Sequence, residues 1–174
     1  MAPNRLRELP LPQQRDAVWV ADITYVETAE GWLYVAGVLD RCTRRCVGWA
    51  MSDSLATALP LSALDMALKQ RQPMAGLVHH SDRGVQYASG AYRQRLAQAG
   101  AIPSMSRRGN CYDNAAMESF WRSLKRELVH RCAFATHVEA QAAIFEWIEG
   151  FCNRERLHSA LGFQSPVDFE TNLN

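Results

Sequence analysis

The run VWVADITYV, residues 18–26, sets one acid, Asp22, among β-branched and aromatic residues. Density of this kind reads as a strand. Val18, Val20, Ile23 and Val26 flank the acid, and a carboxylate so surrounded is costly to bury unless a cation meets it. Two other stretches supply companions. GLVHHSD, residues 76–82, ends on Asp82, and NAAMESFWRSLKREL, residues 114–128, is helix-like and carries Glu118. Thirty-five residues lie between Asp82 and Glu118, and Lys125 follows Glu118 by seven. Three carboxylates brought together repel one another unless a divalent metal neutralises them. The pattern points to a metal-dependent phosphoryl-transfer site.

Outward from the first strand, GWLYVAGVLD (31–40) and RCVGWAMS (45–52) read as two more strands, with Glu30-Gly31 as a turn. Loops this short favour an antiparallel meander. A helix follows over 57–70, with Leu61, Leu64, Ala67 and Leu68 at helical spacing. The remaining elements are a strand at 76–80, a helix at 89–99 with Ser89 as N-cap, a short strand from Ala101 to Met105, and a loop over 106–113. The helix from Asn114 to about Val129 carries an apolar stripe of Met117, Trp121, Leu124 and Leu128, with Glu118, Arg122 and Lys125 on an adjacent stripe. A last helix starts at Thr136, where Thr136 and Glu139 fit a capping box, and its core face is Ala140, Ile144, Trp147, Ile148 and Phe151. The order β-β-β-α-β-α-β-α-α predicts an α/β fold, a mixed five-stranded sheet with helices on both faces. Right-handed crossovers allow strand four beside strand one, which brings Asp82 next to Asp22. Residues 1–17 read as a linker or arm, 18–130 as the catalytic core, and 131–174 as a C-terminal helix and tail docking on the same domain.

The chain has 174 residues, 48% of them apolar and 21% charged, which suits one globular domain. No apolar run approaches the ~20 residues of a membrane span, and the N-terminus has no secretory pattern, so a cytoplasmic location is expected. The net charge of +1 says little, but residues 104–131 hold six basic against three acidic residues. A basic surface beside an acidic site suits a nucleic acid. Five scattered cysteines predict reduced thiols; Cys42 and Cys46 lack the companions of a zinc site.

Two carboxylates on adjacent strands and a third on a helix can hold two Mg²⁺ or Mn²⁺ ions, which all-oxygen ligands select over zinc. Singly, each acid has an ordinary reading: Asp82 before Arg83-Gly84 as a turn residue, Glu118 as an exposed acid pairing Arg122 at i+4. Their joint spacing carries the functional reading. Arg107 and Arg108, in the loop before the Glu118 helix, suit phosphate contacts, and Tyr112 suits base stacking or packing. Asn114, Arg122 and Lys125 complete the expected DNA-contacting set. One of His79 and His80 would face the site, although a structural role is the ordinary expectation for both.

These residues resemble the catalytic core of bacterial insertion-sequence transposases of the DDE type, the group whose second reading frame encodes a retroviral-integrase-like domain. The matching stretches are WVADITYV, LYVAGVLDRCTRRCVGWAMS, HHSDRGVQYAS, SMSRRGNCYDNAAMESFWRSLKREL and NRERLHSALGFQSPVDFE. The resemblance implies a ribonuclease H-like fold, with Asp22, Asp82 and Glu118 as catalytic metal ligands and Lys125 near the DNA. It implies cleavage at element ends, strand transfer, and homo-oligomers on paired DNA ends. Such transposases carry a helix-turn-helix region before the core, so a helix-turn-helix partner or fusion is expected. Cys152 stands where the family's tail motif has a tyrosine. An alternative is a truncated, non-autonomous fragment that binds DNA or full-length transposase as a regulator. A third is a ribonuclease H-like nuclease with another substrate.

Overall fold

A computed structural model describes residues 2–6, 9–106 and 114–173. Five strands form one mixed sheet: β1 (Val18–Thr28), β2 (Gly31–Asp40), β3 (Cys46–Ser52), β4 (Val78–Ser81) and β5 (Ile102–Met105), in the order β3-β2-β1-β4-β5. The first three make the expected antiparallel meander, and β4 and β5 join parallel to β1 and to each other. Helices α1 (Ala58–Arg71) and α2 (Gly90–Gln98) cross over between strands. Helices α3 (Ala115–Glu127), α4 (His137–Phe145) and the short α5 (Pro166–Thr171) follow the sheet.

Alternation along β1 divides the core in two. Trp19 and Ala21 pack with α1 and α2, while Val18, Val20 and Val26 pack with α3 and α4 through Met117, Phe120, Trp121, Leu124 and Ile144. The caps are those expected. Ser89 Oγ accepts from the Tyr92 amide at 3.2 Å, and Thr136 Oγ1 accepts from the Glu139 amide at 3.1 Å. Glu139 Oε2 closes the box one residue early, on the Ala135 amide at 2.8 Å.

The expected core face of the last helix fails at one position. Phe151 is 40% exposed, and Cys152 is buried in its place. Over Glu146–Cys152 the helix widens into a π turn. Cys152 continues the four-residue spacing of Ala140, Ile144 and Ile148, and the wider turn carries Phe151 outward.

The tail returns to the core through an ionic cluster. Arg71 at the end of α1 donates from Nε to Asp16 Oδ1 at 2.8 Å and from Nη1 to Glu170 Oε2 at 3.0 Å. Arg45 reaches Glu170 Oε2 at 2.6 Å, and Thr43 Oγ1 donates to Glu170 Oε1 at 3.0 Å. Burial alone would raise the Glu170 carboxyl, but the hydrogen bonds from Arg71 and Arg45 outweigh it and hold the group below the ordinary glutamate range. Among the described residues, no helix is long and apolar enough to cross a membrane.

Candidate active site

Strand register builds the acidic pair. Val18, Trp19 and Val20 of β1 stand opposite Val78, His79 and His80 of β4. Carried two residues onward, the same offset sets Asp82, just past the end of β4, alongside Asp22. Asp22 is half-buried on the face of β1 that α3 covers.

A gap in the sheet brings the third acid in. Gly37 is the partner of Asp22 across β2. A Cβ on Gly37 would lie 2.7 Å from Met117 Cε and 2.9 Å from Trp121 Cη2. The missing side chain therefore lets α3 seat deeply, which carries Glu118 toward Asp22. Gly37→Val is expected to cost about 1–3 kcal/mol by overpacking and to lower activity by lifting Glu118. Urea unfolding checks the first effect; unchanged stability would show that α3 does not depend on the gap.

The electrostatics of Asp22 follow from this placement. Burial pushes its carboxyl up to about 6 from an ordinary 3.8, and the negative charges of Asp82 and Glu118 push the same way. The Ile23 amide and the Trp121 indole oppose them. Among the described residues, the buried indole Nε1 closes no hydrogen bond of full geometry. Among the described residues, neither Asp22 nor Glu118 forms an ion pair, so the ordinary Glu118–Arg122 reading is not realised. Asp82 is exposed, and its Oδ1 accepts from the Gly84 amide at 2.8 Å. Among the described residues, no three acidic, histidine or cysteine side chains stand close enough together to ligate one ion.

Asp22 and Glu118 open onto a cleft of about 610 Å³ shared with Trp121, Arg122, Lys125, Arg126 and His130. The sequence singled out Arg122 and Lys125 here. It missed Arg126 and His130, although both continue the four-residue spacing from Glu118 through Arg122. Lys125 Nζ stands 4.9 Å from the centroid of the Tyr25 ring, a cation–π contact that braces the ammonium at the cleft. Asn114 is buried at the start of α3, and its Nδ2 donates to the Ala21 carbonyl at 3.4 Å. Arg107, Arg108 and Tyr112 lie outside the described residues. Both histidines are buried and tied within the fold. His79 Nε2 meets the Tyr92 hydroxyl at 3.1 Å, and His80 bridges Ser104 Oγ at 2.8 Å and Ser106 Oγ at 2.9 Å.

A family model described as integrase core domain matches residues 12–111, more than half of the chain, and a second of the same description matches residues 99–166. The chain belongs to the integrase core domain family. This integrase core is 50% identical over 169 residues to an insertion element IS600 uncharacterized 31 kDa protein of Shigella sonnei, covering 97% of this chain and 62% of that one. It is 44% identical over 168 residues to the transposase for insertion sequence element IS904 of Lactococcus lactis subsp. lactis (strain IL1403), covering 97% and 66%. It thus spans just under two thirds of the length of these relatives. In three dimensions it superimposes on a chain of the simian T-cell lymphotropic virus intasome in complex with PP2A regulatory subunit B56 gamma. That match has a TM-score of 0.75 at 11% identity, covering 98% of this chain and 58% of that one. The HTLV-2 integrase catalytic core domain in complex with magnesium (dimeric form) matches with a TM-score of 0.68 at 12% identity, covering 90% and 97%. The fold of this integrase core is therefore the ribonuclease H-like fold of retroviral integrase cores, as its sequence resemblance implied.

Proposed function

We propose that this chain is the catalytic core of a DDE transposase, which cuts DNA at the ends of an insertion element and joins the freed 3′-hydroxyls to target DNA. One observation carries the reading: Asp22, half-buried and without an ion-pair partner among the described residues, is pushed up by burial and by the charges of Asp82 and Glu118. A site that concentrates uncompensated negative charge inside a fold is fitted to a divalent cation. The donors are all carboxylate oxygens, which suits Mg²⁺ or Mn²⁺. Asp22, Asp82 and Glu118 would hold two such ions. Bound there, the ions would supply Lewis acidity at the scissile phosphate and a more acidic attacking hydroxyl.

The chain's own residues do the rest. β1 and α3 fix two of the acids on rigid elements. Arg122, Lys125 and Arg126 line the cleft and would hold the DNA backbone beside the carboxylates, with Arg107, Arg108 and Tyr112 extending the contact. Residues 18–130 would form the catalytic unit, residues 1–17 an arm, and residues 131–174 its docked tail. A homo-oligomer on paired DNA ends, with a helix-turn-helix region supplying end recognition, would act in the cytoplasm.

The test is joining of a pre-cleaved DNA end to target DNA by the purified chain in Mg²⁺ or Mn²⁺, with Asp82→Asn as control. Metal-dependent joining lost in the control supports the reading; joining that survives in the control removes Asp82 from the site. Lys125→Ala is expected to weaken DNA binding at low salt and to reduce the slope of log affinity against log salt by about one. An unchanged slope, read by fluorescence anisotropy, would take Lys125 off the DNA.

A further inference from the structure

Helix α3 is a wall between two hollows. One is the acidic cleft. Behind the other face, toward Val20 and Leu39, lies a cavity of about 580 Å³ that the proposed reaction does not use. Arg41, Arg44 and His158 line it, together with the first turn of α3, whose backbone amides favour negative charge. Among the described residues, neither Arg41 nor Arg44 forms an ion pair, whereas Arg156 beside them is taken by Glu127 at 2.9 Å. Burial holds both guanidiniums below the ordinary arginine value, and Arg41 adds to the effect on Arg44.

Among the described residues, three buried polar atoms on this one cavity lack partners: Arg41 Nη1, Asn114 Oδ1 and His158 Nε2. Asn114 is only 7% exposed. Orphaned buried groups are rare and call for an explanation. Two unpaired guanidiniums ask for an anion, and a buried amide oxygen asks for a donor. The rim is different in kind. Phe163 is 69% exposed and Leu157 61%, and Phe163 holds φ at +61°, a costly conformation for a bulky side chain. An exposed aromatic ring at the edge of a cavity that guanidiniums line suits a base stacked beside its phosphate.

We propose that this cavity receives one nucleotide of single-stranded DNA, with its phosphate on Arg41 and Arg44, a base or sugar donor on Asn114, and its base against Phe163. The volume falls within the range of small-ligand pockets. A paired duplex keeps its bases stacked inside, so only an unpaired end or a displaced strand can enter. The inference rests on reading the chain as a DNA-acting enzyme, but it concerns a hollow separate from the carboxylates.

The experiment is anisotropy of a labelled ten-nucleotide single strand and of the matching duplex, with chelator present so that metal chemistry plays no part. Folding of each variant is checked by thermal unfolding. Arg41→Gln/Arg44→Gln is expected to lower single-strand affinity at least tenfold and to flatten its salt slope by about 0.7 for each phosphate no longer neutralised. Phe163→Ala, on the surface, is expected to lower it roughly five- to a hundredfold with the slope unchanged. Duplex affinity should change by less than twofold in both. Equal losses on duplex and single strand would overturn the proposal, as would no loss in Phe163→Ala. Displacement of the oligonucleotide by inorganic phosphate as readily as by a deoxynucleoside monophosphate would mean a simple anion site, and would also overturn it. Lys125→Ala runs alongside as a probe of the cleft. If it has no effect while the cavity variants do, the cleft assignment fails and this one stands.

Discussion

Asp22→Asn is expected to abolish strand transfer and, with no divalent cation present, to make the protein more stable. The first effect follows from the proposed chemistry: the metals supply several kcal/mol of transition-state stabilisation, so loss of a ligand should cost about a thousandfold or more in rate. The second follows from the site as it stands. Burial, Asp82 and Glu118 raise the Asp22 carboxyl to about 6 from an ordinary 3.8. Between those values the folded chain holds a proton that the unfolded chain has released. Stability therefore falls as pH rises through that window, and the full penalty is present above about pH 6. Two pH units correspond to at most about 3 kcal/mol, less whatever solvent screens. The amide carries no charge, so the variant should melt higher than the parent at neutral pH and equally near pH 4. Burial also raises Asp40 to about 6, but Asp40 is present in both proteins and cancels from the difference. Melting temperatures of both proteins across pH in chelator, beside a strand-transfer assay, decide the matter. A constant difference across pH would mean that Asp22 carries no such strain; retained activity would remove it from the chemistry.

Arg71→Ala is expected to lower stability by about 3–5 kcal/mol, the usual cost of stripping one partner from a buried ionic group. Arg71 side-chain exposure is 9%, and that of Glu170 is 6%. The arginine is bonded to Asp16 before the sheet and to Glu170 in α5, so it ties both ends of the chain to α1. Without it, Asp16 loses its cation and Glu170 keeps only Arg45 and Thr43. The Glu170 carboxyl lies below its ordinary value in the folded state, so its contribution is full above the ordinary glutamate range and fades as pH falls through the folded value. The parent should therefore be more sensitive to acid than Arg71→Ala, whose Glu170 has already lost the Arg71 share of that advantage. Urea midpoints at neutral and acid pH measure both effects. A loss under 1 kcal/mol would mean that the cluster is solvated rather than structural.

Most of the architecture was legible because it rests on local signals. β-branched runs marked the strands, Ser89 and Thr136 marked helix starts, and short loops marked the meander. The spacing of the acids drew attention to the proposed site, and right-handed crossovers allowed the parallel place that β4 takes beside β1. What escaped depends on contacts between distant residues or on departures from regular geometry. The π turn that carries Phe151 outward was not read, although Cys152 continues the four-residue spacing from Ala140 through Ile148. Nothing local tells that Tyr25 will brace Lys125, that Asn114 will be buried against β1, or that Arg71 will gather both ends of the chain. The family resemblance concentrated attention on one side of α3, and the two arginines without an ion pair among the described residues on the other side became visible only once β2, α3 and the tail were assembled.

The pairing of Asp22 with Asp82 is a matter of register, not of chain length. The intervening residues run through a turn, two strands and a crossover helix. Any of those loops could lengthen without moving either acid, provided β1 and β4 keep their alignment. A one-residue slip of β4 against β1 would be different. Side chains alternate along a strand, so the slip would send Asp82 to the opposite face, toward α1 and α2, while nearly all of the fold remained intact. Such a protein would look folded and, on the proposed reading, be chemically silent. The short four-residue β4 is thus the point at which an otherwise tolerant scaffold has no freedom to drift.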